Sequence, residues 1–82
     1  MKPTETRDAF FAAVEAGDLT LAETVRRMRK SVGMTQVEYA KLVGIAPRVV
    51  IDLERGVGNP TLESLTKIVS PFGLELAIRK KR

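Results

Sequence analysis

Within one nine-residue run, PRVVIDLER, stand the side-chain groups with which a protein grips and reads a polyanion. Arg48 and Arg55 carry guanidinium groups, Asp52 a carboxylate, and Val49 and Ile51 branched apolar surface. A guanidinium can donate two parallel hydrogen bonds to guanine O6 and N7. A carboxylate can accept from a cytosine amine, and an aliphatic branch can touch a thymine methyl. Other chemistries are closed off. The chain holds no His and no Cys, which removes metal sites, disulfides, thiol chemistry and imidazole catalysis together. A catalytic site would have to use carboxylates or Lys in a cleft, and the acids fall at helix caps and on solvent faces. The sequence therefore reads as a non-enzyme without cofactor or metal.

Those groups need two helices to position them. Counting Gln36 as position one, Ala40 falls at five, Gly44 at nine and Val50 at fifteen. Apolar Tyr39, Val43, Ile45 and Leu53 fill positions four, eight, ten and eighteen. This is the spacing of a helix-turn-helix, two short helices crossing over a tight turn with the second able to lie in a DNA groove. Ala40 must be small because the second helix packs close above it. Gly44 ends the first helix in a left-handed conformation. Val50 and Leu53 turn one face of the second helix inward, which leaves Arg48, Val49, Ile51, Asp52 and Arg55 outward or sideways. Thr35 and Glu38 form a capping box that opens the first helix. Its amide-rich start, with Gln36 in first position, is a natural phosphate contact. The second helix has a poor N-cap in Ala46, a suitable first residue in Pro47, and an end at Arg55 and Gly56.

Around this motif the chain is short and unevenly charged. Eighty-two residues suit one small domain, below the usual size for a self-sufficient core, and 5% aromatic content leaves the core to aliphatics. Residues 1–25 hold two basic and five acidic side chains; residues 26–82 hold twelve and five. The positive part coincides with the motif and its flanks, as a polyanion partner requires. No apolar run approaches the roughly 20 residues of a membrane span, and MKPTETRD lacks the basic-then-apolar order of a signal peptide. A soluble, cytoplasmic chain without a membrane partner is expected.

Residues 4–16 read as a helix capped by Thr4, with Phe10, Phe11 and Val14 as packing residues, on the main body or across a dimer. Thr20 and Glu23 form another capping box, followed by a stripe of Leu21, Val25, Met28 and Val32, with Arg26, Arg27 and Lys30 opposite. After a Gly-Val-Gly-Asn-Pro loop, Thr61 caps a last helix with Leu62, Leu65, Ile68 and Val69 facing the core. In the tail, Leu74, Leu76 and Ile78 alternate at step two, a strand signal. A lone strand cannot satisfy its own backbone, so pairing with the same strand of a second copy is expected, in a homodimer. The fold class is mainly α: a five-helix helix-turn-helix bundle with an N-terminal helix and a short C-terminal β-strand pairing across the dimer. The expected divisions are a helical extension over 1–19, the DNA-binding domain over 20–73, and a dimerisation strand with basic tail over 74–82.

The segment from about Leu21 to Phe72, with TQVEYAKLVGIAPRVVIDLERG and NPTLESLTKIV, resembles the Xre/Cro-type helix-turn-helix family of bacterial and phage regulators. Thr35, Gln36, Ala40, Gly44, Glu54-Arg55-Gly56 and Asn59-Pro60 sit where that family's pattern places them. The resemblance implies a lambda-repressor-like bundle of about five helices that binds double-stranded operator DNA as a dimer, close to the bacterial nucleoid. It implies that Gln36 meets a phosphate or adjacent base, that Ala46, Pro47, Arg48, Val49 and Asp52 enter the major groove, and that Asn59 and the amides around Gly58 meet phosphates. It also implies a structural ion pair between Arg29 and Glu54. The tail FGLELAIRKKR resembles the HipB-like branch, where such a strand joins two subunits of the antitoxin of a kinase-type toxin. On this likeness the chain is a repressor, antitoxin and autorepressor of a toxin–antitoxin operon. The alternatives are a phage-type or chromosomal repressor without a toxin partner, and a protein-interaction module on the same fold. The reading helix departs from the family in offering Pro47, Val49 and Ile51 where polar readers are usual, which leaves Arg48 as the strong base donor. Asp52 either accepts from a base or holds Arg48 in one rotamer as an i, i+4 partner.

Overall fold

A computed structural model describes residues 7–81. It contains five α-helices: α1 (Arg7–Ala16), α2 (Leu21–Ser31), α3 (Gln36–Val43), α4 (Pro47–Glu54) and α5 (Leu62–Val69), followed by a 3-10 turn at Ser70–Phe72. Thr4, the expected cap of α1, lies outside the described residues.

Local sequence accounts for where these helices begin and end. Thr20 accepts from the Glu23 amide at 3.1 Å while Glu23 accepts from the Thr20 amide at 3.1 Å. Thr35 and Glu38 repeat the arrangement at 3.1 and 2.8 Å. These backbone hydrogen bonds hold both carboxyls below their ordinary pKa. A lowered carboxyl pKa stabilises the fold above the unfolded value, and the two caps weaken as pH falls through the folded one. α4 has no side-chain cap at Ala46 and starts on Pro47. Gly44 closes α3 at φ 76°, and the Ile45 amide turns back to the Ala40 carbonyl at 3.0 Å. Only glycine holds that backbone without a Cβ penalty.

The core is one cluster: Phe10, Val25, Met28, Tyr39, Leu53, Ile68 and Val69. Ala40 and Val50 are also fully buried, where α3 and α4 cross, so the smallness of Ala40 is what lets the helices approach. Phe10 meets Phe11 and Phe72 edge-on, at ring-centroid distances of 5.5 and 5.8 Å. That places Phe10 in the core of the same chain. Three expectations fail at helix ends. Leu62 was to face the core but lies in the first turn of α5, 70% exposed, because α5 packs through its far end at Ile68 and Val69. Leu21 and Val32, the ends of the α2 stripe, are 39% and 47% exposed, leaving Val25 and Met28 as its buried centre. Among the described residues the tail from Leu74 forms neither helix nor strand; within one chain it has no ladder partner. Its Leu74 amide bonds back to the Val69 carbonyl at 3.3 Å and its side chain packs on the core. Arg79 donates to the Gly17 carbonyl at the end of α1.

Tyr39 gives the core a reporter. Its ring is fully buried and its hydroxyl donates to the Ile68 carbonyl, tying α3 to α5. Burial pushes the phenol up to about 12. A raised pKa means that the neutral phenol stabilises the fold below the unfolded value near 10, and that this is lost as pH rises through 12. Tyr39 is the sole tyrosine, and there is no Trp, so the absorbance change that accompanies phenolate formation reports it alone. The expected phenolate midpoint is about 12 or coincides with alkaline unfolding. A midpoint near 10 in folded protein would show the ring to be solvated.

Candidate nucleic-acid interface

The end of α4 is held from two sides. Glu54, 4% exposed, accepts from Arg29 Nε at Oε2 (2.8 Å) and from Arg29 Nη2 at Oε1 (2.9 Å), a two-pronged pair between α2 and α4. Arg29 Nη1 also donates to the Met34 carbonyl at 2.8 Å, which ties the turn before α3 into the same cluster. The hydrogen bonds that Arg29 donates to Glu54 raise its pKa above the ordinary value. Gln36 Nε2 donates to Glu54 Oε1 at 3.3 Å. The residue that opens α3 and the residue that ends α4 therefore meet on one carboxylate.

At the other end of α4, Arg48 projects with 72% of its side chain exposed, beside Asp52 at 3.7 Å. Asp52 stands one turn on from Arg48, at the i, i+4 spacing. The loop after α4 comes back over the same helix. The Val57 amide bonds to the Asp52 carbonyl at 2.9 Å. Gly58, at φ 82°, passes so close that a Cβ there would lie 3.4 Å from the Asp52 Cβ. Arg48, Val49, Asp52, Gly58 and Asn59 thus line one shallow groove of about 190 Å³. Ala46, Pro47, Arg55, Gly58 and Asn59 are exposed, as is Thr35, while Gln36, Ile51 and Asp52 are half-buried. Val49 is half-buried and packs on the core, so the apolar look of α4 is in part the look of its inner face.

The HTH_3 family pattern, described as helix-turn-helix, matches residues 25–78, more than half of the chain. The chain belongs to that helix-turn-helix family. Among similar proteins is an uncharacterized HTH-type transcriptional regulator of Archaeoglobus fulgidus, 38% identical over 63% of this chain and 74% of its own length. A second, from Haemophilus influenzae, is 34% identical over 61% of this chain and 51% of its own length. A third, the HTH-type transcriptional regulator DdrOP3 of Deinococcus deserti, is 34% identical over 68% of this chain and 43% of its own length. No solved structure matches significantly. Among the described residues no helix is long and apolar enough to cross a membrane.

Within this helix-turn-helix frame, one residue has a role that sequence reasoning missed. The sequence pattern puts Arg26 on the face of α2 opposite the apolar stripe, with Arg27 and Lys30. Arg26 is half-buried, and its Nη2 donates to the Glu54 backbone carbonyl at 2.8 Å. The available signal was its spacing: Arg26 stands three residues before Arg29, hence on the same side of α2. Gln36, expected to meet a phosphate or base, already engages Glu54 through its amide nitrogen, which leaves its carbonyl oxygen and the α3 amides for other partners.

Proposed function

We propose that the chain is a sequence-specific DNA-binding transcriptional repressor that acts as a homodimer on double-stranded operator DNA. The observation that carries this is the setting of Arg48: a largely exposed guanidinium in the first turn of α4, on a helix anchored at its other end by Glu54. The similarity to HTH-type transcriptional regulators supports it. In this reading Arg48 donates to guanine O6 and N7, with Asp52 holding its rotamer. Ala46 and Pro47 lie against the groove with Val49 and Ile51 beside them. Thr35, Gln36, Arg55, Gly58 and Asn59 meet the phosphate backbone, which fixes register without reading sequence.

Selection from a randomised duplex library by the purified protein tests the reading. A recovered palindrome bound with steep salt dependence supports it. Binding to no duplex at low salt would point instead to a protein-interaction module. Arg48→Ala should leave the fold intact, because the side chain is exposed, and should lose on the order of 1–3 kcal/mol of discrimination at one base step. Unchanged affinity for the selected duplex in a gel-shift titration would remove Arg48 from the interface.

The likeness of the tail to the HipB-like branch supports a narrower role, antitoxin and autorepressor with a kinase-type toxin as second partner. The adjacent gene tests it. A kinase-type product that co-purifies with this chain supports the antitoxin role, and its absence leaves a phage-type or chromosomal repressor.

A further inference from the structure

α4 ends with backbone carbonyls that its own helix cannot satisfy. The chain answers most of them with the turn that follows. The Arg55 amide reaches the Ile51 and Asp52 carbonyls, Gly56 reaches Leu53, and Val57 reaches Asp52. The Glu54 carbonyl is met from outside the turn, by Arg26 Nη2 across from α2 at 2.8 Å. A guanidinium at a helix C-terminus also lies at the negative end of the helix dipole. Arg29 grips the side chain of Glu54 and Arg26 grips its main chain, from successive turns of one face of α2. The side-chain contacts alone leave the main chain of Glu54 free to turn about its side-chain torsions, and the Arg26 contact on the carbonyl removes that freedom.

We propose that Arg26 is a positioning residue for DNA reading: it sets the tilt of α4 by holding its last carbonyl, and so decides whether Arg48 reaches its base. The inference rests on the DNA-binding function proposed above. Arg26 does not contact DNA in this scheme, and that separates it from an ordinary basic residue of the patch. A residue that neutralises a phosphate weakens binding to every duplex and lowers the slope of log affinity against log salt by about one. A residue that aims the reading helix weakens binding to the preferred duplex and leaves both the slope and the binding to unrelated duplexes alone.

The experiment compares wild type, Arg26→Met and Arg26→Lys on the duplex selected by the wild type and on a scrambled duplex, across a range of salt. Circular dichroism checks that each variant is folded at the assay temperature. Arg26→Met keeps the apolar stem and removes the donors. It should lose about tenfold or more in affinity for the selected duplex, with unchanged salt slope and unchanged binding to the scrambled one. Arg26→Lys keeps one charged donor and should recover part of the loss. Equal losses on both duplexes with a reduced slope would make Arg26 a phosphate contact and overturn the proposal. So would a folded Arg26→Met that binds the selected duplex as wild type does, in which case the DNA-binding reading stands and the inference alone falls. A wild type that selects no duplex overturns both.

Discussion

Glu54→Ala should be strongly destabilising. The substitution removes the carboxylate that meets Arg29 through both oxygens and Gln36 through one. It leaves the Arg29 guanidinium, whose side chain is 13% exposed, without its counter-charge. Breaking a buried pair by removing one partner costs on the order of 3–5 kcal/mol. At roughly 4–8 °C per kcal/mol for a domain of this size, Tm should fall by about 12 °C or more. Asp52→Ala is the control on the same helix. Its pair with Arg48 is long and solvated, the class of exposed i, i+4 contact that contributes about 0.3–0.5 kcal/mol. Thermal melts of the two variants should therefore differ widely. Small, equal shifts would show that Arg29 and Glu54 add nothing to the fold. The double variant Arg29→Met with Glu54→Leu should recover much of the loss, since apolar replacement of both partners removes the unpaired charge. That variant separates stability from aim: it melts near the wild type yet lacks the side-chain grip on the end of α4.

How much of this was legible in the sequence depended on whether a residue's role is set locally. Caps and turns were, because Thr20, Thr35, Thr61 and Gly44 act on backbone within a few positions of themselves. The α3–α4 packing was also legible, since Ala40 and Val50, at the spacing of the motif, are both fully buried on two helices that pack together. Stripe ends were not. Leu62, Leu21 and Val32 continue a periodic pattern past the point where another element covers it, and period alone says nothing of where the neighbour stops. Arg26 was hidden for a related reason: its partner is a backbone carbonyl 28 positions away, and a carbonyl leaves no trace in sequence. Glu54 was found by resemblance and not by pattern. A carboxylate on the inward side of α4 breaks the binary pattern, and only its guanidinium partner makes it sensible there. Tyr39 gave half of its role. Its place in the apolar spacing was plain, while the hydroxyl contact to Ile68 needed the packing of α5.

On the proposed reading of a homodimer on operator DNA, Ile78→Asp should leave a monomer and carry operator binding away with it. In the single chain Ile78 is 101% exposed and Leu76 is 36% exposed, while Leu74, first of the alternating set, packs into its own core. Arg79 holds the end of the tail to the α1 terminus through the Gly17 carbonyl, so these two apolar side chains are displayed on an anchored segment. A two-fold pairing of identical tails would cover them and give the backbone of the tail its ladder. An aspartate at Ile78 removes nothing from the folded monomer, because the side chain touches solvent all round. In a paired tail it buries a charge opposite its own copy, which is why this substitution tests the interface more cleanly than deletion of residues 74–82, where the packing of Leu74 is lost as well. The same two-fold would set two reading helices about one DNA turn, ~34 Å, apart. Joining two half-site contacts raises affinity by roughly 10²–10⁴ over either alone, and that factor is what the monomer forfeits. Sedimentation should show the wild type as a dimer and Ile78→Asp as a monomer, and gel shifts should show affinity for the selected palindrome reduced on the order of a hundredfold or more. A variant that sediments as a dimer with full operator affinity would move the interface off the tail. The exposed apolar residues Leu42 on α3 and Leu62 on α5 would then be the surfaces to substitute next.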